Sequence, residues 1–447
     1  MKILLLGSGG REHAMAWKLL ASARVQSLVM APENSAAVQQ LQNQYANKSV
    51  TAWTDSVKGP EALAKLAKKA KEQKVNFVVV GPDNVLADGA VDIFEKEGLE
   101  IFGPRQAAAR LESSKIFAKK VMQAAKVPTA EGYDVRSVAE AKQLLLDLNW
   151  QKKQWVMKAD GLALGKGVEI CETQEQALQA LERLQVYSKS FVIEERLKGK
   201  EISWLAFCDG ETCSLLAPVR DYKTLTEDPL SSNTGGMGAV CPVPLEDSTL
   251  AAKVRESVFL PTLQEMKKRG TPYKGILYAG LMIDGEDFWV LEFNARFGDP
   301  EAQALLPLME GDLLEWCEAC ARSTLHQMPR MVPMSSQVAV YVVAAAPGYP
   351  TEPALGQPIR GMDRWLESHH GFFAGVKKQP AAQLAGQPAA QLAGQPAAEW
   401  VTSGGRVLGA LGLGSSIKEA RQKAFAHLKE ISFEGMQYRE GVGSEWV

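Results

Sequence analysis

Short apolar runs alternate with amphipathic segments over the first hundred positions of the chain. Runs rich in Leu, Val and Ile are typical of buried strands, and apolar residues spaced three or four apart are typical of helices. The predicted order is a strand at 2–6, a helix through Leu20, a strand at 26–30, a helix at 61–74, a strand at 75–81, a helix at 85–97 and a strand at 99–103. This alternation predicts a parallel sheet with helices on both faces.

The pattern changes to α+β after Pro104. Helices are predicted at 113–125, after Ser137 and after Thr173, the last two with capping boxes, and at 312–321. Strands at 155–161 and 166–171 flank a glycine-rich turn. The runs 191–197, 201–208 and 280–294 predict one antiparallel sheet, and the last of them is a hairpin that turns at 284–286.

A third region begins near Gln337 with the strand VAVYVVAAA and ends with a helix capped by Ser416. Within it the octapeptide QPAAQLAG occurs at 379–386 and again at 387–394, which we interpret as an expanded surface loop. The chain therefore divides into predicted domains at 1–103, 104–326 (with a lid at about 125–190) and 327–447, the last carrying a repeat loop at 379–398.

Charge and cysteine content narrow the function classes. The formal net charge is -2, which gives no electrostatic reason to expect nucleic acid or an anionic membrane as a partner. The six cysteines lie far apart in apolar settings and indicate reduced core residues of a cytoplasmic protein. The five histidines show no metal-ligand spacing, so we expect no zinc site.

The stretch LEFNARFGDPE at 291–301 combines strand-forming and ionisable residues. In a strand, Glu292, Asn294 and Arg296 share one face, while Leu291 and Phe293 pack on the other. Carboxylate and amide oxygens suit Mg²⁺, which predicts a metal site at Glu292 and Asn294. The alternative is a buried salt bridge from Glu292 to Arg296.

The turn GSGGRE at 7–12 begins like a dinucleotide-binding fingerprint, but the third glycine is replaced by Glu12. A carboxylate there opposes a pyrophosphate, which disfavours a dehydrogenase. The backbone N–H groups and Arg11 could still hold a single phosphate. The alternative is a plain tight turn.

Two further glycine-rich turns are candidate phosphate sites. KADGLALGKG at 158–167 has the wrong spacing for a P-loop, and a strand follows it instead of a helix. It suits a flexible lid in which Lys158 and Lys166 meet phosphates, although a simple hairpin tip is the alternative. NTGGMG at 233–238 allows close backbone approach to a ligand. With the Glu292–Asn294 pair, these turns predict ATP and Mg²⁺ as ligands.

These motifs together resemble the glycinamide ribonucleotide synthetases, or phosphoribosylamine–glycine ligases, of the ATP-grasp superfamily. The resemblance rests on GSGGREHA, VGPD, KADGLALGKGV, FVIEE, NTGGMGA, LEFNARFGDPEAQ and GGRVL, in this order, and covers essentially the whole chain. It implies an α/β and α+β multidomain fold. The parts would be a Rossmann-like preATP-grasp domain, an ATP-grasp core with a mobile lid, and a small C-terminal α+β domain.

The resemblance also implies roles for individual residues. Contacts to ATP are expected from Lys115, Lys158, Gly165, Lys166, Gly167, Glu194, Glu195, Leu197, Glu201 and Asn233. The metal, Mg²⁺ or Mn²⁺, would be held by Glu292 and Asn294. The reacting amino-acid end would be faced by Arg296, Asp299 and Asp221. The phosphoribosylamine side would be formed by Gly9, Gly10, Arg11, Glu12, Asp83, Gly235 and Gly236.

The implied reaction joins glycine to 5-phosphoribosylamine through glycyl phosphate, with ADP and phosphate as the other products, in de novo purine biosynthesis. Positioning and charge neutralisation would carry the catalysis, which fits the absence of a Ser–His or Cys–His arrangement in the motifs. We expect small-molecule substrates, no nucleic acid or membrane partner, and a monomer or weak homodimer.

Departures from the family pattern cluster where the second substrate is expected. They include Glu33, Asp83, Phe373 and Val376. Two rival hypotheses follow. One is an ATP-grasp ligase for a different acid and amine, and the other is a nucleotide-binding protein without turnover. The intact residues Lys158, Glu292, Asn294 and Arg296 disfavour the second rival.

Overall fold

The computed structural model of the chain describes residues 1–163, 166–228, 231–245, 247–380 and 398–447. Gly165 of the predicted ATP site and most of the octapeptide repeat lie outside these residues. Among the helices that the described ranges contain, none combines the length and apolar character needed to cross a bilayer.

The N-terminal unit is a five-stranded parallel sheet in the order β3-β2-β1-β4-β5. Its strands are β1 (Lys2–Leu6), β2 (Ser27–Ala31), β3 (Ser49–Ala52), β4 (Phe77–Val80) and β5 (Ile101–Phe102), and its helices are α1 (Gly10–Leu20), α2 (Ser35–Gln44), α3 (Pro60–Glu72), α4 (Asp83–Ala87) and α5 (Ala90–Lys96). Ile3 and Leu5 pack on one side of the sheet and Leu4 and Leu6 on the other, because helices cover both faces. The parallel sheet predicted from the alternation is thus confirmed.

Two antiparallel sheets form the middle of the chain. The first, which we call the lid sheet, has the order β6-β9-β7-β8, and the second, the central sheet, has the order β11-β10-β14-β15. The strands are β6 (Gly132–Val135), β7 (Trp155–Ala159), β8 (Val168–Cys171), β9 (Phe191–Glu195), β10 (Lys200–Asp209), β11 (Cys213–Leu215), β14 (Lys274–Asp284) and β15 (Asp287–Asn294). The helices are α6 (Gln106–Ser113), α7 (Lys115–Ala124), α8 (Val138–Asp147), α9 (Gln174–Leu184), α10 (Leu250–Val254), α11 (Leu260–Lys268), α12 (Glu301–Leu305) and α13 (Leu313–Ala321), with a π-helical turn at Arg255–Phe259.

The prediction that 191–197 joins 201–208 and 280–294 in one sheet is wrong. Strand β9 pairs with β6 and β7 in the lid sheet, whereas β10 pairs with β14 in the central sheet. The chain changes sheet across Arg196–Gly199, and Gly199 adopts φ +138°, where a Cβ would lie 2.3 Å from the Ile283 carbonyl oxygen. Apolar periodicity predicts each strand, but it does not specify the partner.

The helix predicted at 113–125 is also corrected. The chain breaks at Ser114, which separates α6 from α7, and the Phe117 N–H donates to Ser114 Oγ at 3.2 Å. Ser114 is therefore the N-cap of α7 and places Lys115 in its first turn. The helix predicted at 85–97 is likewise two helices, α4 and α5, because Gly89 between them is left-handed at φ +83°.

The third unit is a five-stranded antiparallel sheet in the order β12-β13-β16-β20-β17, with a separate two-stranded ladder of β18 and β19. The elements are β12 (Arg220–Asp221), β13 (Gly238–Cys241), β16 (Val338–Ala345), β17 (Gly371–Phe373), β18 (Val376–Pro380), β19 (Ala398–Thr402), β20 (Arg406–Gly414), α14 (Met362–Glu367) and α15 (Ile417–Leu428), with 3₁₀ turns at Leu325–Gln327 and Ser444–Trp446. Strands β12 and β13 come from the middle of the sequence, yet they extend the C-terminal sheet, because β13 pairs with β16 and β12 pairs with β13. The domain limits at 103 and 326 stay predictions.

Candidate active site

The polar face of β15 is set by a β-bulge. Gly280 of β14 lies opposite Glu292, but the next residue, Leu281, lies opposite Val290, so Leu291 is an extra residue on its strand. Phe293 is 3% exposed, whereas Glu292 remains half-buried on the other face. The predicted alternation is therefore present across the bulge.

Four cations surround the Glu292 carboxylate. Its pKa is lowered to about 2, because the charges of Lys223, Lys158, Lys115 and Arg296 together outweigh the burial that opposes ionisation. The Lys223 ammonium lies 3.7 Å from Glu292 Oε1. This carboxylate is thus held ionised, as a metal ligand must be.

The predicted alternative, a salt bridge between Glu292 and Arg296, is not among the ion pairs of the described residues. Arg296 Nη2 instead lies 2.8 Å from Glu112 Oε1, and it donates to Asn294 Oδ1 at 3.3 Å. Burial raises the pKa of Glu112, and the Ala295 N–H donates to its second oxygen at 2.8 Å. Glu112 therefore orients Arg296, a function that the sequence patterns did not indicate.

A buried charge triad joins the lid sheet to α7. Glu194 Oε1 lies 2.5 Å from Lys158 Nζ, and Glu194 Oε2 accepts from Lys119 Nζ at 2.8 Å. The side chains of Lys119, Glu194 and Lys158 are 2%, 5% and 8% exposed. Lys158 also donates to the Leu291 carbonyl at 2.6 Å, so a lid lysine reaches the bulge of the central sheet. Lys119 was missed, because nothing in its helical pattern distinguishes it from a surface lysine.

The glycine-rich turn of the lid, at 158–167, is anchored to the start of α7 through Asp160 and Gly161. Ser114 Oγ donates to Asp160 at 3.0 Å, and the Ile116 N–H donates to the same oxygen at 3.1 Å. Lys115 Nζ donates to the Gly161 carbonyl at 2.9 Å, and burial lowers its pKa. The predicted phosphate ligands Lys115 and Lys158 therefore lie on either side of one turn.

Glu12 fills the space beneath the N-terminal glycine turn. Its carboxylate accepts from the Gly9 N–H at 2.7 Å and from Arg11 Nε at 2.6 Å, and the residue is 2% exposed. A Cβ on Gly81 would lie 2.1 Å from Glu12 Oε1. Arg11 donates onward to the Phe297 carbonyl at 3.1 Å. Glu12 thus stands where a dinucleotide fingerprint has its third glycine, and its carboxylate stabilises the turn.

A cleft of about 570 Å³ opens where this turn, the 31–35 segment and the third sheet meet. The walls are formed by Ser8, Gly9, Glu33, Asn34, Ser35, Asp299, Ala374, Gly375, Val376, Lys377, Ser403, Gly404 and Arg406. Arg406 donates to Asp299 Oδ2 at 2.8 Å and to the Gly235 carbonyl at 2.5 Å. Gly9, Asp299 and Gly235 are thus brought together as predicted ligands, and Arg406 of the GGRVL motif joins them.

Asn34 links the cleft walls. Its Nδ2 donates to the carbonyls of Ser8 at 2.8 Å and Phe373 at 3.1 Å, while its Oδ1 caps α2 by accepting from the Ala37 N–H at 3.0 Å. Glu33, the neighbouring residue, is exposed at the cleft and accepts from Ser35 Oγ at 2.8 Å. Glu33 stands out in the sequence as a departure from the family pattern, whereas the motifs did not indicate a role for Asn34.

Asp221 lies beside Gly236 and two residues before Lys223, which contacts the polar face of β15; we call that face, formed by Glu292 and Asn294, the metal face after its predicted role. Its Oδ1 is buried with no hydrogen-bond partner among the described residues, and it lies 2.6 Å from where a Gly236 Cβ would be. Burial, followed by the negative charge of Glu301, raises its pKa. An unpaired buried oxygen of this kind suits a ligand that brings a positive charge.

The remaining predicted residues are more dispersed. Lys223 donates a hydrogen bond to Glu201, which ties a predicted ribose ligand to the metal face. Four others lie near the surface, and no contact joins them to the metal face among the described residues. Glu195 pairs with Lys153 at 2.6 Å, Leu197 is half-buried, and Lys166 and Asn233 are exposed. Gly10, Gly167 and Gly236 are buried, whereas Asp83 is half-buried at the start of α4.

The fold and site define the ATP-grasp class of ligases. The lid sheet contributes Lys158, α7 contributes Lys115, the central sheet contributes the side-chain oxygens of Glu292 and Asn294, and Asp299 lies in the wall of a separate cleft. Three family models match the chain: the N domain (1–112), the ATP-grasp (A) domain (113–302) and the C domain (339–445) of phosphoribosylglycinamide synthetase. The chain belongs to this family.

Individual relatives agree with the family models. The phosphoribosylamine–glycine ligases of Ralstonia nicotianae and Caldanaerobacter subterraneus are each 39% identical, over 99% of this chain and 99% and 100% of theirs. The crystal structure of a phosphoribosylamine–glycine ligase from Thermotoga maritima is 30% identical with a TM-score of 0.77, covering 98% of this chain and 99% of that one. A biotin carboxylase domain from Hydrogenobacter thermophilus shares the fold at 14% identity, with a TM-score of 0.68 over 98% of this chain and 91% of its own.

These findings confirm three predictions from the sequence. The family resemblance is correct, the three-part architecture with an ATP-grasp core is correct, and the chain is an ATP-dependent carbon–nitrogen ligase of purine biosynthesis. The rival hypothesis of a nucleotide-binding protein without turnover loses its support, because the family models and the relatives are those of a ligase.

Proposed function

We propose that this protein joins glycine to 5-phosphoribosylamine at the expense of ATP, giving glycinamide ribonucleotide, ADP and phosphate. The observation that carries the proposal is the convergence of four cations on one ionised carboxylate, Glu292, beside a separate cleft that a guanidinium, Arg406, lines. The first site suits a metal-bound triphosphate and a reacting carboxylate. The second suits a phosphorylated amine.

The donor set around Glu292 fits a divalent metal. A carboxylate that neighbouring cations keep ionised and the amide oxygen of Asn294 are hard oxygen ligands of the kind that Mg²⁺ and Mn²⁺ prefer. When bound there, the metal would neutralise and orient the phosphates of ATP. We favour Mg²⁺, and comparison of the rates with each metal would test that choice.

The protein's own side chains would do the rest by positioning. Lys115 and Lys158 flank the lid turn and would neutralise phosphate charge. Arg296 has a buried Nε–H without a hydrogen-bond partner among the described residues, so it retains a donor for the glycine carboxylate. The unpaired Oδ1 of Asp221 would accept from the glycine ammonium.

The chemistry then needs no covalent bond to the protein. A glycine carboxylate oxygen would displace ADP at the γ-phosphorus. The amine nitrogen of phosphoribosylamine would then add to the carbonyl carbon of the acyl phosphate and expel phosphate, and the proton that the nitrogen loses would leave with the phosphate. Asp299, fixed by Arg406 and by Gln303 at 2.7 Å, adjoins Gly9 and would border the amine. Because all these groups come from one chain, we propose a monomer or weak homodimer. The free, buried cysteines support a location in the reducing cytoplasm.

Phosphate release from Mg²⁺–ATP, measured with glycine and freshly generated phosphoribosylamine and with each omitted in turn, tests the proposal. We expect release to require both substrates and glycinamide ribonucleotide to appear by mass spectrometry. Tight ATP binding without release would refute it in favour of a ligase for a different acid and amine. Exposed Glu33 at the cleft is the feature that supports that second candidate, because it places a negative charge where a phosphate would enter.

A further inference from the structure

The segment from Arg220 to Thr224 presents two faces with opposite surroundings. Lys223 points to the metal face, where it meets Glu201 and Glu292, and Asp221 points to Gly236 of the 233–238 turn. The side chains of Arg220, Tyr222 and Thr224 point the other way, as the two-residue period of an extended strand requires. The two site-facing residues thus alternate with three that face away from the site.

The outward face is covered by the last residues of the chain. We call residues 437–447 the C-terminal tail. Tyr222 Oη donates to Glu445 Oε1 at 2.7 Å and accepts from the Gly443 N–H at 2.9 Å. Arg220 Nη1 lies 3.1 Å from Glu445 Oε1, so the Glu445 carboxylate pairs with both Arg220 and Tyr222.

A second set of contacts continues along the same face. Arg439 of the tail donates to the Thr224 carbonyl at 3.0 Å and also to its hydroxyl. The Tyr222 ring is 4% exposed and lies between two guanidinium groups, with Arg220 and Arg439 at 5.4 and 5.3 Å from its centroid. Each outward residue of the segment therefore has a partner in the tail.

The tail is itself fixed to the third unit. The backbone groups of Gln437 and Ala345 exchange hydrogen bonds of 2.7 and 2.9 Å, and Arg421 of α15 donates to the carbonyls of Val442 at 3.0 Å and Glu440 at 2.6 Å. Val442 is fully buried. The C-terminal tail, which is held by the core of the third unit, thus contacts a strand whose other face lines the candidate active site.

We propose that the C-terminal tail is a positioning element for the ligation reaction, which holds Asp221 and Lys223 in place by gripping Arg220, Tyr222 and Thr224. This inference rests on the proposed function, because it concerns the same site. Glu445, Arg439 and Tyr222 are positioning residues, since none of them faces the metal site or the cleft. The competing explanation is that the tail only closes the core of the third unit.

Kinetics of near-isosteric variants separate the two explanations. Tyr222→Phe removes the hydroxyl that joins Glu445 to Gly443, and Glu445→Gln removes the charge that receives Arg220. We expect each to lower kcat/KM for glycine by about 10-fold, because a small displacement of a substrate-positioning group is costly in rate. The double variant should lose less than the product of the two single losses, because both changes break one link.

The matched control is Glu440→Gln, which makes the same change in charge on an exposed tail residue. It should keep wild-type kcat/KM and Tm. Wild-type kinetics in both Tyr222→Phe and Glu445→Gln, or a loss shared by the control, would overturn the proposal. If Tyr222→Phe does not fold, Glu445→Gln carries the test, since its side chain is 32% exposed. Absence of turnover in the unmodified enzyme would instead overturn the proposed function, and the role of the tail with it.

Discussion

The buried triad of Lys119, Glu194 and Lys158 provides a quantitative test of the structure. Glu194→Gln removes the negative charge and leaves two lysines, 2% and 8% exposed, without their counterion. Breaking a buried ion pair by removing one partner costs about 3–5 kcal/mol. Lys119 keeps the Thr129 hydroxyl and Lys158 keeps the Leu291 carbonyl, so we expect the lower end, about 3 kcal/mol.

Hydrogen exchange of the lid sheet measures this effect locally, which matters because a protein of several units does not unfold in one step. The peptides of interest contain β7 and β9, the strands that carry Lys158 and Glu194. A loss of about 3 kcal/mol corresponds to roughly 100-fold faster exchange through opening of the lid. The matched control is Glu195→Gln, whose side chain is 32% exposed and pairs with half-exposed Lys153.

The pH dependence gives a second, independent check. The charges of Lys158 and Lys119 lower the pKa of Glu194 against the opposing effect of burial. Its stabilising contribution is therefore present above the ordinary carboxyl pKa of about 4.3 and is lost as the pH falls through the lower value in the folded state. The difference between wild type and Glu194→Gln should shrink in acid. Equal exchange in Glu194→Gln and Glu195→Gln at neutral pH would refute the assigned energetics.

Three further predictions concern the site and the repeat. Glu292→Gln should lower turnover at least about 100-fold with an unchanged circular dichroism spectrum, because it removes the negative charge that would hold the metal. Glu286→Gln in the exposed hairpin turn should leave turnover unchanged. Retained activity in Glu292→Gln would remove Glu292 from the metal site. Arg406→Lys should raise KM for the amine about 10-fold or more with little change for ATP, because lysine lacks the fork that joins Asp299 to Gly235; equal effects on both substrates would contradict a role confined to the cleft. Deletion of 379–386 should leave kcat and Tm nearly unchanged, and loss of folding would overturn the interpretation as a surface loop.

The sequence predicted many of the elements and the residues of the candidate site. Apolar periodicity placed β1 and the parallel sheet, and the period of two along β15 placed Glu292 and Asn294 on one polar face. These features are local, because a strand or helix that buries one face carries apolar residues at the spacing of that face. The glycine-rich turns were also visible, since close backbone approach restricts the residue type at each position.

The tertiary structure decided what each charged side chain meets. The sequence left Glu292 and Arg296 as one candidate salt bridge, whereas the fold supplies Glu112, 184 positions before Arg296, as the partner of the guanidinium. It also assigned β9 to the lid sheet, and it inserted β12 and β13 into the C-terminal sheet. Pairing partners and ion pairs depend on surfaces far apart in the chain, and no local pattern specifies them. The sequence thus determined which residues could carry the reaction, and the packing of three units decided which of them face one another.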